Sequence, residues 1–304
     1  MSYQLSRRIS QKKDIGEIVR IVYLQLSVNR ECSAIWNDKL YLPQLATSGS
    51  TQIEIFDLNT ETSRLVNLGL LYAAQAGGNI WNDKLYLPQS ATSGASNIGI
   101  FNLSTETLRT VPLGATIRRS SSLIWNDKLY MPNFAAVNLE IFDLNTEATR
   151  RINLGASLGY TCLLWKDKLY INGNNFIKIF DLNTETFRTV SIALNSPVTA
   201  HIYDDKLYMP GYGDNIMGIF DLNTETFRTV TLPNSIFRHK TSKIHNDKLY
   251  MQGTNTDIME IFDLRSETTE TFNILQNSLK VTSQLHNNRL YIPQNGTNIM
   301  EIFG

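Results

Sequence analysis

Ile35-Trp36-Asn37-Asp38-Lys39-Leu40-Tyr41, followed after a loop by Ile53-Glu54-Ile55-Phe56-Asp57-Leu58-Asn59-Thr60-Glu61-Thr62, is the stretch that decides the fold. The first block returns at Ile80, Ile124, Leu164, Ile202, Ile244 and Leu285. Counted at the Trp36 position, successive copies lie 45, 44, 40, 38, 42 and 41 residues apart. The second block follows each copy, and IFDLNTETFRTV begins at both Ile179 and Ile219. Repetition at such a period is read first, because every later inference depends on it.

Each repeat reads as four short strands: one ending at the Trp36 slot, then Lys39–Leu42, Ile53–Leu58 and Ser63–Leu68. These segments are rich in β-branched and aromatic residues. Asn37-Asp38 can take the positive φ that a tight hairpin needs, and Asn59-Thr60-Glu61 suits a slightly longer turn. Helical periodicity is absent. Four strands every 38–45 residues predict the blades of an all-β, seven-bladed β-propeller. The seventh repeat stops at Glu301-Ile302-Phe303-Gly304, in its third strand. Glu17–Leu24 aligns with Glu225–Leu232, with Glu, Arg, Val and Leu coinciding. The N-terminal strand is therefore expected to complete blade seven and remove a sheet edge that would invite aggregation. The organisation is an N-terminal extension over 1–16 and a single domain over 17–304. An open solenoid would need capping repeats, and none is visible.

The pattern Lys-Leu-Tyr, loop, Ile-Phe-Asp-Leu-Asn-Thr-Glu-Thr resembles kelch repeats of the β-propeller superfamily, over essentially the whole chain from Glu17. It departs from them where kelch repeats carry a double glycine. Pro43-Gln44, Pro88-Gln89, Pro132-Asn133 and Pro293-Gln294 stand there instead, and the Trp falls in the first strand rather than the fourth. Function carried over from kelch proteins is fold-level analogy.

Bulk composition narrows the classes. Hydrophobic residues make up 42% and charged residues 18%, which is globular. Lys+Arg and Asp+Glu are equal at 28, so nucleic acid and anionic membrane are not expected partners. Two cysteines, Cys32 and Cys162, are too few for a disulfide scaffold and suit a reducing compartment. With no apolar leader and no run of 18 apolar residues, the expectation is a cytoplasmic monomer. Asn102-Leu103-Ser104 and Asn295-Gly296-Thr297 match the glycosylation pattern, which is short enough to arise by chance.

Comparing repeats with one another separates packing from candidate function. All four tryptophans, Trp36, Trp81, Trp125 and Trp165, fill one slot, which Tyr203, His245 and His286 fill elsewhere. A residue shared by all blades serves what all blades need, here packing of blade on blade. The two positions before the inner strand's variable residue are small throughout, as in Cys32-Ser33, Gly77-Gly78 and Thr241-Ser242, as crowding at the axis requires. Both cysteines fall there and read as buried filler, too far apart for a disulfide. Asp38-Lys39 and Thr60-Glu61 read as solvated turn pairs of little energetic value. The recurring Asp57, Asp143, Asp181, Asp221 and Asp263 read as turn stabilisers.

The opposite face, where strand two meets three and blade meets blade, varies in loop length and chemistry. Variable loops on a rigid scaffold carry function. The candidate binding residues are Arg118, Arg119, Tyr160, Tyr212, Phe237 and Arg238 in these loops. They are joined by Asn79, His201, Lys243 and Gln284, a polar quadrant in the most variable inner-strand slot. The face is expected to be mildly basic and dotted with aromatics. No zinc spacing, phosphate loop, calcium loop or nucleophile elbow occurs, so no cofactor, no metal and no catalytic residue is expected. The functional expectation is a non-enzymatic scaffold binding a protein partner through the top loops. The alternatives are a glycan-binding propeller and, third, an enzyme with its site at the channel mouth around His201 and Lys243.

Overall fold

The computed structural model describes residues 18–26, 32–43, 50–72, 78–89, 97–113, 121–133, 136–159, 161–195, 197, 199–234, 237–238, 242–254, 258–274, 283–294 and 297–304. Within them the chain forms seven antiparallel sheets and no helix. Blade one runs outward as Ala34–Trp36, Lys39–Pro43, Ser50–Asp57 and Thr62–Tyr72. Blades two to five repeat that order. Blade six adds a two-residue strand, Phe237–Arg238, on its lengthened second strand Lys248–Thr254. The inner strands, of three or four residues, touch one another from blade to blade, so they form the ring around the axis. The strands are those read from the sequence, with blade one's third and fourth starting earlier or ending later than expected, across a bulge near Ser50.

The tight turns explain the recurrent Asn-Asp. Asn37 and Asp38 have φ of 46° and 54°, and Asn82-Asp83, Asn126-Asp127 and Asn246-Asp247 follow suit. Asparagine and aspartate enter this left-handed region at lower cost than most residues. In the wider turn, Asp57 Oδ1 accepts from the backbone N–H of Asn59 at 3.0 Å and of Thr60 at 2.8 Å. The same pair of bonds recurs at Asp143, Asp181, Asp221 and Asp263. The aspartates are therefore turn stabilisers, as the sequence implied.

No blade has a core of its own. Buried residues fall into seven clusters, and each joins the facing sides of two neighbouring blades. Tyr41 meets Phe101 edge-on at 6.2 Å, and Tyr86–Phe142, Tyr170–Phe220 and Tyr208–Phe262 repeat the contact at later interfaces. The last cluster packs Tyr291, Met300 and Ile302 of blade seven on Leu40, Leu42 and Phe56 of blade one.

The Trp slot also hydrogen-bonds to the next blade. Trp81 Nε1 donates to Asp127 at 3.1 Å, Trp165 Nε1 to Asp205 at 2.9 Å, and Tyr203 OH to Asp247 at 2.7 Å. His286 Nε2 lies 3.2 Å from Asp38, across the junction of blades seven and one. Trp, Tyr and His exchange in this slot because each carries a ring donor, while Phe, which carries none, never fills it.

The outer rim corrects the reading of Thr60-Glu61 as a local pair. Arg64 grips Glu106, Arg109 grips Glu147, Arg150 grips Glu185, Arg188 grips Glu225 and Arg228 grips Glu267, each across a blade interface. Arg20 of the N-terminal strand pairs in the same way with Glu61. Each of these six glutamates sits at a φ of 55° to 59°. That conformation costs about 1–2 kcal/mol for a residue with a Cβ. The backbone N–H of Glu61 recovers a bond to Asp57 O at 2.8 Å, as its equivalents do. The pairs are exposed, so each contributes about 0–1 kcal/mol. In blade six the Arg slot holds Glu270, which turns to Lys248 of its own blade at 3.2 Å.

Closure is as expected. Ile18–Tyr23 pairs antiparallel with Ile299–Phe303, in the order N-terminal strand, third, second, inner. Leu24 is buried in the cluster between blades seven and one. The extension 1–16 lies outside the described residues. Removing residues through Tyr23 exposes the whole edge Ile299–Phe303. The expected outcome is loss of the monomeric peak in size-exclusion chromatography, whereas Arg20→Ala lowers urea stability by no more than about 1 kcal/mol. Tyr203→Phe, which removes one inter-blade donor and leaves the ring, should cost about 1 kcal/mol in the same measurement.

Candidate functional site

The inner-strand slot two residues before the Trp position runs around the axis as Ala34, Asn79, Leu123, Leu163, His201, Lys243 and Gln284. All but Ala34 keep partial exposure. The inner strand has no strand on its axial side, so this is the ring a molecule in the channel meets. The preceding position is small because the ring is crowded: a Cβ on Gly78 would come within 2.9 Å of Leu85 Cδ1.

Three of the four polar residues in this ring reach into the next blade. Asn79 Nδ2 donates to Ser122 Oγ at 2.6 Å, and Gln284 Nε2 donates to Ser33 O and Oγ, both at 2.9 Å. His201 Nε2 shares a hydrogen bond of 2.7 Å with Ser242 Oγ. The quadrant expected from the sequence is therefore not one cluster. Asn79 stands apart in blade two, while His201, Lys243 and Gln284 occupy consecutive blades five, six and seven.

His201 is the centre of the most concentrated chemistry. Thr199 Oγ1 and Ser242 Oγ share a bond of 2.8 Å, and both hydroxyls are almost wholly buried. The imidazole is pushed down to about 3, first by burial and then by the nearby charge of Lys243. It is thus neutral at any ordinary pH. Burial also lowers the Lys243 amine from its usual range. Lys243 has no ion-pair or hydrogen-bond partner among the described residues. No carboxylate stands at the variable slot or at the small position before it in any blade. A neutral imidazole thus stands beside an amine of lowered basicity, and the lysine's charge adds to burial in keeping the imidazole neutral.

Of the loop candidates, Tyr212 is exposed on its face at 39%. Phe237 and Arg238 form the additional strand of blade six, pairing with Thr254 and Gly253. Arg118, Arg119 and Tyr160 lie outside the described residues, and so does most of the expected basic, aromatic-dotted face. Cys32 and Cys162 are buried and form no disulfide, and burial pushes the Cys162 thiol up, away from the reactive thiolate. Among the described residues, no cluster of three His, Cys, Asp or Glu could hold a metal ion.

The sequence reading missed one ring altogether. The middle of the third strand carries Glu54, Gly99, Glu140, Lys178, Gly218, Glu260 and Glu301, and the five charged members are buried. Two of them fasten the chain where it passes between blades, and the others hold residues of their own blade. Glu54 accepts from the Gln25 backbone N–H at 2.7 Å, and Glu260 accepts from Asn234 Nδ2 at 3.0 Å. Glu140 is held by Arg151 at 2.6 Å, while burial still raises its carboxyl. Lys178 donates to Thr189 at 2.8 Å. The signal was present as charges at strand positions that should alternate inward. It was hidden by the mixture of Glu, Lys and Gly in one slot.

No family model and no curated protein sequence matches the chain. Among solved structures, a virginiamycin B lyase from Staphylococcus aureus superposes with a TM-score of 0.78 at 12% identity, over 94% of this chain and 98% of that one. A catalytically inactive histidine-to-alanine variant of that lyase with quinupristin gives 0.78, at 12% identity and over 94% and 99%. A streptogramin B lyase gives 0.76, at 12% identity and over 94% and 98%. At this identity the likeness establishes the propeller and not the family, and kelch membership finds no support. The expectation of a non-enzymatic scaffold is corrected here. It rested on the propeller being a binding fold and on the lack of a familiar catalytic motif, and propellers of this same architecture are enzymes.

Acidification tests the site's protonation. The unfolded chain takes up a proton on His201 near 6.5, and the folded chain does so only near about 3, so stability falls as pH drops through that interval. His201→Gln should flatten the urea-measured stability of the wild type over this interval. Imidazole NMR signals of His201 should stay in the neutral form throughout it.

Proposed function

We propose that the chain is an enzyme acting on a small carbonyl-bearing molecule at the mouth of the central channel, by proton abstraction and elimination. The observation that carries this reading is the His201–Ser242–Thr199 hydrogen-bonded group beside Lys243. A neutral imidazole is suited to donate a hydrogen bond to a carbonyl oxygen as negative charge builds there. An amine of lowered basicity is suited to accept the proton lost from carbon, since an efficient base titrates near the working pH. Gln284, one blade on, offers its amide for orientation, and Leu123 and Leu163 form an apolar arc beside His201. Tyr212, exposed beside the inner strands, is a candidate to select what enters. The lyase class of the structural neighbours, and the inactivity of one of them when a single histidine is replaced, support the reaction type.

The test is turnover followed by mass spectrometry, with quinupristin and a panel of small esters as candidates. Elimination yields products that sum to the mass of the substrate, whereas hydrolysis adds one water. Consumption of a panel member by elimination should fall about a hundredfold or more in Lys243→Met and in His201→Phe, and hold in the rim variant Arg64→Met. Consumption that both site variants preserve, or hydrolytic products, would sink the proposal.

A further inference from the structure

The ring around the axis places one cation, Lys243, where nothing described neutralises it. Its neighbours in the ring are His201, whose imidazole carries no charge, and the amide of Gln284. The small residue before it, Ser242, is engaged with His201 and Thr199. The exposed lysines are placed otherwise. Lys166 Nζ lies 3.8 Å over the Trp165 ring and donates to Asn223 Oδ1 at 3.4 Å. Lys178, the other lysine enclosed by protein, spends its donor on Thr189 and lies over the Phe187 ring. Lys243 alone of these three combines partial access, an environment hostile to charge and no hydrogen-bond or ion-pair partner among the described residues.

We infer that Lys243 is a nucleophilic amine that condenses with an aldehyde or ketone carrying a short apolar tail. This rests on the reading of the channel mouth as the working site, and names the substrate class. The Nζ lone pair forms a bond to the carbonyl carbon while the carbonyl π electrons move to oxygen. Nitrogen then gives up both of its protons in turn, the oxygen gains both and leaves as one water, and a carbon–nitrogen double bond remains. No oxidant or reductant is consumed. A lysine whose ammonium is desolvated by the surrounding protein, with no counter-charge beside it, has a raised fraction of free amine. The tail has Leu163 and Leu123 to rest on, next in the ring beyond His201.

The experiment uses the whole chain, propanal and cyanoborohydride, which reduces the imine to a stable propyl-lysine, with peptide mapping by mass spectrometry. Lys243 should gain the propyl group severalfold faster than Lys166, since a lowered amine pKa raises the fraction of free, nucleophilic amine. Labelling of Lys243 no faster than that of Lys166 overturns the inference. Because the wild type itself is read, the result does not depend on a variant folding. The two readings fail separately. Turnover that needs Lys243 without selective labelling overturns the imine and keeps the acid–base site. Selective labelling with no turnover of any panel member supports the imine and counts against the elimination reaction.

Discussion

Each blade of this protein is a four-stranded sheet with two apolar faces and no means of covering either by itself. That constraint governs everything else in the structure. The faces are buried only when a neighbour stands on each side, and a row of such neighbours has two uncovered ends unless it closes. Closure is therefore a condition of folding and not a decoration of it. The inter-blade contacts stack from the axis outward: amide or imidazole to serine, Trp-slot donor to aspartate, tyrosine on phenylalanine, and arginine on glutamate. The exposed ion pairs contribute little singly, but they share a register that the whole ring must satisfy at once.

This explains why the fold was legible. A feature that each of seven interfaces requires is written seven times, and repetition in a sequence needs no alignment to be seen. The Trp slot, the Lys-Leu-Tyr tyrosine and the Asp of the wide turn were all read correctly on that ground. Even closure was readable, because Arg20 stands where Arg228 stands in a complete blade. What repetition could not convey was the partner of each residue. Glu61 looked like half of a local turn pair, and its true partner lies a blade away, on Arg20. The distance in sequence is short for most of these pairs, yet nothing in the spacing says that a turn faces the next blade and not its own.

The site was legible only in outline, for the opposite reason. It occupies a position where repeats disagree, and disagreement marks freedom without saying what the freedom is used for. The variable slot was found, but its members were grouped by polarity. Geometry separates Asn79 from the others by binding it to Ser122, and joins His201 to Ser242 and Thr199, small residues that had been explained by crowding alone. Crowding and hydrogen bonding are both true of them. A serine in a tight ring costs no more room than an alanine needs to be tolerated, and it adds a donor and an acceptor. The buried third-strand charges escaped because Glu, Lys and Gly share that slot, so no single residue type repeats there.

The pairing of Ile18–Tyr23 with Ile299–Phe303 also bears on how the molecule is made. Synthesis runs from one end, so the strand that emerges early must wait for the strand that emerges late. Until then blade one has a face without a cover, and the six completed blades form an arc that nothing locks. Folding can proceed blade by blade along the growing chain, but the ring closes only once Ile299–Phe303 is free to pair with Ile18–Tyr23. That contact joins the most distant strands of the propeller, and it gives every blade a neighbour on both sides.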